Sequence, residues 1–217
     1  MTVAETIVEE QVVKSRIRVK SYGEVFTPRH MVDRMLDLVR EELETGPDFV
    51  DKTFLEPAAG HGNFLVAILG RKLAAIEKRY PVEKWPHESL FALASIYGVE
   101  LLEDNHQDAK AIMLAEFVGF HEAHGIAGSA GTNLRSAASY LIDTNFVCGN
   151  TLTGKTPGGR DIQFSWWNRI DGRPGMVQRE PFTLASLRAD SGFDFTVYDR
   201  YKACRIDRVH HGVRADA

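Results

Sequence analysis

Residues 56–65, EPAAGHGNFL, combine an acid, small residues and two glycines directly before an apolar segment. Glycine adopts backbone conformations that other residues avoid, so Gly60 and Gly62 favour a tight turn in which the backbone approaches a ligand closely. If a helix begins after this turn, its first N–H groups face a carboxylate or a phosphate. The stretch predicts either a loop that holds a charged small molecule or only a turn between a strand and a helix.

Two further polar residues follow apolar segments later in the chain. Glu100 ends IYGVE, where a carboxylate can accept hydrogen bonds from both hydroxyls of a ribose. Asn150 follows FVCG, and its amide can pair with the edge of an adenine. Ligands of an open parallel sheet bind outside the carboxyl ends of its strands. Together with the glycine stretch, these residues predict a nucleoside site.

The glycine pattern distinguishes between two nucleoside cofactors. A dinucleotide favours the pattern G-x-G-x-x-G with an acid about 20 residues further on. Here Gly60 and Gly62 are followed by Phe64, and the strand-ending acid Glu100 lies much farther along the chain. S-adenosylmethionine carries no phosphate and requires less open backbone, and Glu56 can face its ammonium group. The pattern therefore favours S-adenosylmethionine over NAD.

Apolar periodicity predicts the elements that would position these residues. Thr27 is the predicted N-cap of a helix with Pro28 in its first position. Buried strands are expected at 53–56, in the segment that ends at Glu100, and in NFVCGNTL; helices are expected after the first two. Strands that alternate with helices predict an α/β fold with a mostly parallel sheet, helices on both faces, and a β-rich or irregular C-terminal excursion.

Four segments in this order resemble a known family. GEVFTPRHMVDRML, FLEPAAGHGNFLVAIL, IYGVELLEDN and VCGNTL are similar to the amino-type DNA adenine methyltransferases of restriction-modification systems, including type I modification subunits. The first segment resembles their G-x-x-F-T-P element and the second their D-P-x-x-G-x-G-x-F loop. The resemblance extends from about residue 22 to 152. It implies a class I S-adenosylmethionine-dependent methyltransferase fold, which is Rossmann-like.

The resemblance also implies a set of cofactor contacts. The residues that it places in the cofactor site are Phe26, Thr27, Pro28, Glu56, Ala58, Gly60, Gly62, Glu100, Leu101 and Asn150. Residues 26–28 would line the methionine end, and Glu56 would lie with its neighbours around the amino acid moiety. Glu100 would hold the ribose and Leu101 would lie against the adenine. Asn150 stands where an aspartate is commoner in the family.

The catalytic tetrapeptide of the family is missing. Similar enzymes carry Asn-Pro-Pro-Tyr or Asp-Pro-Pro-Phe, whose first side chain and proline carbonyl bind the target amine while the aromatic ring stacks on the flipped base. No such tetrapeptide occurs in this chain. No catalytic residue is therefore assigned; Trp166, Trp167 and Asn168 in FSWWN are the candidates for a substitute base pocket. A core or interface strand is the more frequent role of such an aromatic segment.

The predicted function is S-adenosylmethionine-dependent methylation of the exocyclic amine of adenine in DNA, of restriction-modification or phage and plasmid type. The alternative is a catalytically silent cofactor- or DNA-binding subunit or regulator with a methyltransferase fold, and methylation of RNA or protein is a third interpretation. DNA is the expected partner, together with a second subunit that supplies target recognition or catalysis.

Composition restricts the remaining classes of protein. The 217 residues carry a formal net charge of −4, so a nucleic-acid surface would have to be local. No apolar run is long enough to span a membrane, so we expect no membrane partner and a cytoplasmic location. Cys148 and Cys204 match neither a zinc spacing nor a disulfide framework, and no metal is expected. His121 and His124 are interpreted as solvent-facing loop histidines.

The chain is expected to divide into four parts. Residues 1–20 form a basic N-terminal arm that ends in KSRIRVK, and residues 21–153 form the cofactor-binding core. Residues 154–198 form an aromatic, turn-rich extension, and residues 199–217 form a basic tail that is partly disordered. The arm and the tail either contact DNA phosphates or form a solvated charged face.

Overall fold

The computed structural model of the chain describes residues 14–126, 132–187 and 201–212. Within these ranges the α-helices are α1 (Arg16–Tyr22), α2 (Arg29–Asp37), α3 (Asn63–Arg79), α4 (Trp85–Ala94), α5 (Glu103–Ala123) and α6 (Asn133–Asn145). The strands are β1 (Phe54–Glu56), β2 (Ile96–Glu100), β3 (Phe146–Cys148), β4 (Gln163–Arg169), β5 (Met176–Thr183) and β6 (Cys204–Arg205). Short 3₁₀ turns lie at Val82–Lys84, Ala185–Leu187 and Ile206–His211, and a π-turn lies at Glu41–Thr45. No helix in the described ranges is both long and apolar enough to cross a membrane.

Strands β1, β2 and β3 form a parallel sheet in that order. Phe54 lies opposite Ile96, and Gly98 lies opposite Phe146. Every residue of the central strand β2 is buried, as expected where a parallel sheet is covered on both faces. The carboxyl ends of the three strands therefore meet at one edge, which confirms the predicted α/β fold with a parallel sheet.

Helices cover one face of this sheet. Gly98 permits the close approach, because a Cβ at this position would lie 2.7 Å from the ring of Phe146 and 3.0 Å from Leu65 of α3. Phe146 belongs to the same apolar cluster as the buried side chains of α3, α4, α5 and α6. This cluster is the main core of the described chain.

The opposite face is covered by a β-hairpin. Strands β4 and β5 pair in antiparallel fashion, and the cluster on this face contains Tyr97, Val99, Phe164 and Phe182 but no helix residue among the described ones. The prediction of helices on both faces was therefore wrong for this face. The large aromatic rings of the hairpin supply the apolar area that a helix layer would otherwise provide. The prediction of a β-rich excursion is confirmed for its described residues.

Several element boundaries differ from the prediction. Helix α2 has Pro28 rather than Thr27 at its N-cap. The carbonyl of Thr27 instead accepts a hydrogen bond from the side chain of Asn63 at 2.8 Å. Helix α6 was not predicted; it begins after Thr132, whose hydroxyl accepts from the Arg135 N–H. Helices α3 and α5 are confirmed.

The described parts of the basic arm and of the basic tail contact the rest of the described chain. Ser15 caps α1, and Arg18 of this helix pairs with Glu24 at 2.6 Å and with Asp104 of α5 at 2.6 Å. The described part of the basic arm is thus bound to acidic side chains of this chain. In the tail, Ile206 and Val209 are buried in the main core. The rest of the arm and of the tail lies outside the described residues.

A buried lysine joins α3 to the amino ends of the sheet. Lys72 is 0% exposed, and its Nζ donates to the carbonyl oxygens of Val50 and Lys52 and to Ser95 Oγ. These three acceptors match the three donors of an ammonium group. Burial nevertheless lowers the pKa of Lys72 to about 7, because desolvation disfavours the charged form.

Candidate functional site

A cleft of about 320 Å³ opens at the carboxyl ends of β1, β2 and β3. Of the predicted cofactor-binding residues, those that line it are Phe26, Ala58, Gly60, Glu100, Leu101 and Asn150. The predicted residues that do not line it are Thr27, Pro28, Glu56 and Gly62. Ligand binding outside the carboxyl ends of parallel strands is the general rule for open α/β sheets. The structure therefore brings six of the ten predicted residues together at the expected edge.

Glu100 is at the centre of the cleft wall and is 6% exposed. Its Oε2 accepts from the Gly60 N–H at 2.8 Å, and its Oε1 accepts from the Leu102 N–H at 2.9 Å. The carboxylate thus fixes both the glycine loop after β1 and the turn after β2. A carboxylate offers about four acceptor sites, so a ligand hydroxyl still finds an acceptor here.

A hydrogen-bonded group of polar side chains lies behind Glu100 and was missed by sequence reasoning. Asn105 Nδ2 donates to Glu24 Oε1 at 2.6 Å, and Arg18 holds the same carboxylate through two hydrogen bonds. Burial acts to raise the pKa of Glu24, but the hydrogen bonds from Arg18 and Asn105 outweigh it and lower the pKa below its usual value. Asn105 Oδ1 is buried without a described partner. Both side chains line the cleft, and a ligand hydroxyl or ammonium group would reach this buried oxygen only after the Asn105 side chain turns toward the cleft.

Exposed apolar side chains form the rim of the cleft. Tyr22 is 57% exposed, Val25 60%, Leu101 47% and Leu152 88%. In the described part of the chain no lysine, arginine or histidine lines the cleft, whereas Glu24 and Glu100 do. The arrangement suits a ligand with a flat apolar part and a neutral or positive polar part. A phosphate would find no cationic side chain in this wall.

The two glycines of the loop have different roles. Gly60 has φ +56°, and a Cβ there would lie 3.2 Å from the ring of Phe26. Gly62 has φ +95°, and a Cβ there would lie only 2.8 Å from Ala109 of α5. Gly60 therefore lies in the cleft wall, whereas Gly62 does not line the cleft and permits close packing against α5. The ring of His61 lies against Phe26 with 3.9 Å between the centroids.

Glu56 ends β1 and Asn150 follows β3, as predicted, but local contacts occupy their side chains. Glu56 Oε1 accepts from the Ala58 N–H at 3.0 Å. Burial raises the pKa of Glu56 above its usual value, and the bond from Ala58 only partly opposes this. Asn150 Oδ1 accepts from the N–H groups of Leu152 and Thr153, so an adenine edge would have to be recognised through the NH₂ group.

The candidate catalytic residues lie at the other end of the sheet. Trp166, Trp167 and Asn168 line a separate cavity of about 260 Å³ together with Thr53 and Ser95, the residues that precede β1 and β2. Since the cleft opens at the carboxyl ends of the same strands, these side chains do not face it. The predicted base pocket at FSWWN is therefore not part of the cofactor cleft.

Each candidate catalytic side chain has a packing partner instead. Trp166 stacks on Phe182 with 4.2 Å between the centroids and 12° between the planes. Trp167 is 8% exposed in the main core. Asn168 Nδ2 donates to Glu180 Oε2 at 2.8 Å. These contacts correspond to the core-strand interpretation of the segment.

One of the two histidines at the end of α5 differs from the prediction, whereas His124 is exposed as expected. His121 is 0% exposed, and its ring lies 3.0 Å from Ser89 Oγ. Burial lowers the pKa of His121 below its usual value. His124 is exposed and pairs with Glu77 at 3.0 Å. His121 is therefore a core residue that joins α5 to α4 and not a loop histidine.

Two of the missed cleft residues lie inside segments that sequence reasoning had selected. Glu24 lies in GEVFTP, and Asn105 ends IYGVELLEDN. The available signals were an acid directly after a glycine, and an amide in the first turn of the helix that follows a strand-ending acid.

Comparisons with family models, curated proteins and solved structures gave no match to this chain.

Proposed function

We propose that the chain binds S-adenosylmethionine in the cleft at the carboxyl ends of β1–β3 and acts in the methylation of adenine in DNA. The observation that carries the cofactor assignment is the composition of the cleft wall. The carboxylate of Glu100, the carboxylate of Glu24 with its partner Arg18, and a buried Asn105 oxygen lie beneath an apolar rim, and no described basic side chain lines the cleft. This wall matches a nucleoside that carries positive charge and no phosphate.

The parts of the cofactor correspond to different parts of the wall. The adenine would lie between Leu101 and Leu152, whose exposed side chains would become covered. The ribose hydroxyls would reach Glu100, and Asn105 Oδ1 only after that side chain turns toward the cleft. The sulfonium and ammonium groups would benefit from the negative potential of Glu100, which is strongest in a partly desolvated cleft, whereas the charge of Glu24 is compensated by Arg18. NAD and ATP, which carry phosphates, would be disfavoured by the same potential.

The chemistry in this proposal is in-line transfer. The exocyclic amine of adenine attacks the methyl carbon, the carbon–sulfur bond breaks, and the amine proton passes to solvent. The protein contributes by aligning the two reactants and by accepting hydrogen bonds from the amine. In the described residues, the candidate segment for these acceptors lies at the opposite end of the sheet from the cleft.

This separation favours a second candidate function, a cofactor-binding subunit whose target-base pocket belongs to another polypeptide. Among the described strands, β1 pairs with β2 alone. The Phe54 N–H donates toward β2, to Ser95 O at 3.0 Å, so the N–H and C=O of the next residue, Leu55, face the open edge. Such an edge accepts an added strand. The proposed occupant is a strand whose following loop carries the missing amine-binding tetrapeptide to the cleft.

Titration calorimetry tests the cofactor assignment. S-adenosylmethionine and S-adenosylhomocysteine are expected to bind, whereas NAD and ATP are not. Leu101→Glu places a charge where the adenine would lie and is expected to weaken binding more than roughly tenfold, since it loses apolar contact worth about 1.5–3 kcal/mol. Leu187→Glu is the matched control, because Leu187 is 50% exposed and lies outside the cleft. Equal binding by both variants would exclude this cleft.

Transfer of radiolabelled methyl to unmethylated genomic DNA distinguishes the two functions. Robust labelling by the purified chain would support direct methylation and contradict the subunit function. Cofactor binding without labelling, followed by labelling after co-expression with neighbouring genes, would support the subunit function. Cofactor binding without labelling of DNA in either condition would contradict a role in DNA methylation.

A further inference from the structure

Three side chains with metal-binding atoms converge beside the cleft. Glu103 and His106 lie one turn apart at the start of α5, and Cys148 is the last residue of β3. One carboxylate oxygen, one ring nitrogen of His106 and Cys148 Sγ all lie within 4.8 Å of one another. Glu103 Oε1 lies 3.9 Å from His106 Nδ1. The fold thus brings oxygen, nitrogen and sulfur donors from distant parts of the sequence to one point.

The ring of His106 is oriented for coordination. The residue is only 7% exposed, and its Nε2 lies 2.9 Å from the carbonyl oxygen of Phe146. Because a carbonyl only accepts, Nε2 carries the proton and Nδ1 keeps its lone pair. This Nδ1 is buried with no described hydrogen-bond partner. Buried polar atoms without a partner are rare, and a hydrogen bond from the second ring nitrogen to a backbone carbonyl commonly orients metal-binding histidines.

Cys148 supplies a sulfur ligand that differs from an ordinary surface thiol. Its side chain is unpaired with the other cysteine, Cys204, and Sγ lies 3.8 Å from the carbonyl oxygen of Leu101. Burial, followed by the neighbouring carboxylates Glu103 and Glu100, raises the pKa of this thiol to about 12. A bound divalent cation would reverse this effect, because coordination deprotonates a thiol.

We propose that Glu103, His106 and Cys148 form a binding site for a divalent cation that accepts nitrogen, oxygen and sulfur donors, with zinc the best match. Tetrahedral zinc at about 2.0–2.3 Å from its ligands places them roughly 3.3–3.8 Å apart. The present spacing, within 4.8 Å, requires a small closure; Glu103, whose side chain is 65% exposed, can move toward His106, from which it lies 3.9 Å away, and Cys148 closes the remaining distance. Magnesium and calcium, which favour oxygen ligands alone, do not match this donor set.

Binding of the metal ion would change the bonds of all three side chains. The S–H bond of Cys148 breaks, its proton passes to solvent, and a sulfur–metal bond forms. Glu103 would bind the metal as a carboxylate and would give up the hydrogen bond that it accepts from Gln107 Nε2 at 2.7 Å. His106 enters as the neutral ring. Three protein ligands leave a fourth position for water, as in open zinc sites.

Cobalt(II) is the probe, since it replaces zinc in such sites and reports thiolate coordination by absorption. The full chain, freed of metal with a chelator and kept reduced, is titrated with Co²⁺ and then with Zn²⁺. We expect a thiolate-to-cobalt charge-transfer band that saturates at one equivalent and disappears when Zn²⁺ is added. Absence of this band in the wild-type chain would overturn the proposal.

Matched cysteine variants locate the site. Cys148→Ser is expected to lose the band and Cys204→Ser to keep it; the opposite pattern would refute the assignment. His106→Gln is expected to weaken Co²⁺ binding more than roughly tenfold, as loss of a ligand does. If Cys148→Ser fails to fold by circular dichroism, alkylation of the wild-type chain decides: Zn²⁺ must protect Cys148 and not Cys204. None of these measurements involves S-adenosylmethionine, so failure of this site leaves the proposed function untouched.

Discussion

Replacement of Glu100 by glutamine separates a structural role of this carboxylate from a role in ligand binding. The carboxylate accepts from the Gly60 and Leu102 N–H groups at 2.8 and 2.9 Å and is 6% exposed. Glutamine retains one acceptor oxygen and turns an NH₂ group toward the other N–H. Hydrogen bonds to a charged group contribute about 1.5–3 kcal/mol each and neutral ones about 0.5–1.5 kcal/mol. We therefore expect Glu100→Gln to lower the free energy of unfolding of the ligand-free protein by about 2–4 kcal/mol.

Urea denaturation followed by tryptophan fluorescence measures this loss. Glu122→Gln is the control, because it removes the same charge from an exposed position on α5; exposed substitutions usually change stability by less than about 0.5 kcal/mol. If the two variants unfold at the same urea concentration while Glu100→Gln alone loses S-adenosylmethionine binding, the carboxylate serves the ligand and does not hold the loops. If the two variants show equal stability and equal affinity, both roles assigned to Glu100 are refuted.

Other contacts give three further predictions. The unfolded chain keeps Lys72 protonated up to its ordinary pKa of 10.5, whereas the folded chain does so only up to about pH 7. The free energy of unfolding should therefore rise with pH in this interval, by up to roughly 1 kcal/mol per pH unit. Lys72→Met should abolish this pH dependence in urea titrations. Trp166→Ala removes the stack on Phe182 and should lower stability by about 3 kcal/mol without changing cofactor affinity in calorimetry; a selective loss of affinity would contradict the packing role. Gly62→Ala should lower the melting temperature, because its Cβ would lie 2.8 Å from Ala109; an unchanged melting temperature would show that α3 and α5 shift freely there.

The parallel sheet was predictable because each of its strands ends in a local signal. An apolar run followed by Glu56, by Glu100 or by Gly149 and Asn150 marks a buried strand that leaves the core. Helix α6 carried a signal that was overlooked: its buried residues Ala137, Ala138, Leu141 and Ile142 recur at helical spacing after the N-cap Thr132, although two of them are alanines. The packing of the β-hairpin on the second face of the sheet was unpredictable, because hydrophobic periodicity and composition do not show which face of the sheet a segment will cover.

The candidate site was predictable to the extent that strand ends define it. Gly60, Glu100 and Asn150 line the cleft since parallel strands bring their carboxyl ends to one edge. The role of Gly62 depends instead on the distance between α3 and α5, which spacing along one segment does not contain. The same holds for His106 and Cys148, which meet only because β3 lies beside β2 and α5 follows β2. Contacts between elements, rather than residue types, determined what sequence reasoning missed.

The amino ends of the parallel sheet are packed, whereas the carboxyl ends form the cleft, and this difference affects where the proposed methyl transfer can occur. At the amino ends, Lys72 donates three hydrogen bonds and Arg169 pairs with Asp51 and Glu88, and Trp167 is packed in the core although its Nε1 has no described hydrogen-bond partner. At the carboxyl ends, the cleft has an unpaired acceptor and exposed apolar side chains, as a ligand site requires. A target adenine must reach the methyl group at the carboxyl ends, whereas the aromatic residues of FSWWN already stabilise the other end. Groups that bind its amine must therefore come from outside the FSWWN segment, and the open edge of β1, which ends beside the cleft, is where a strand carrying them would add.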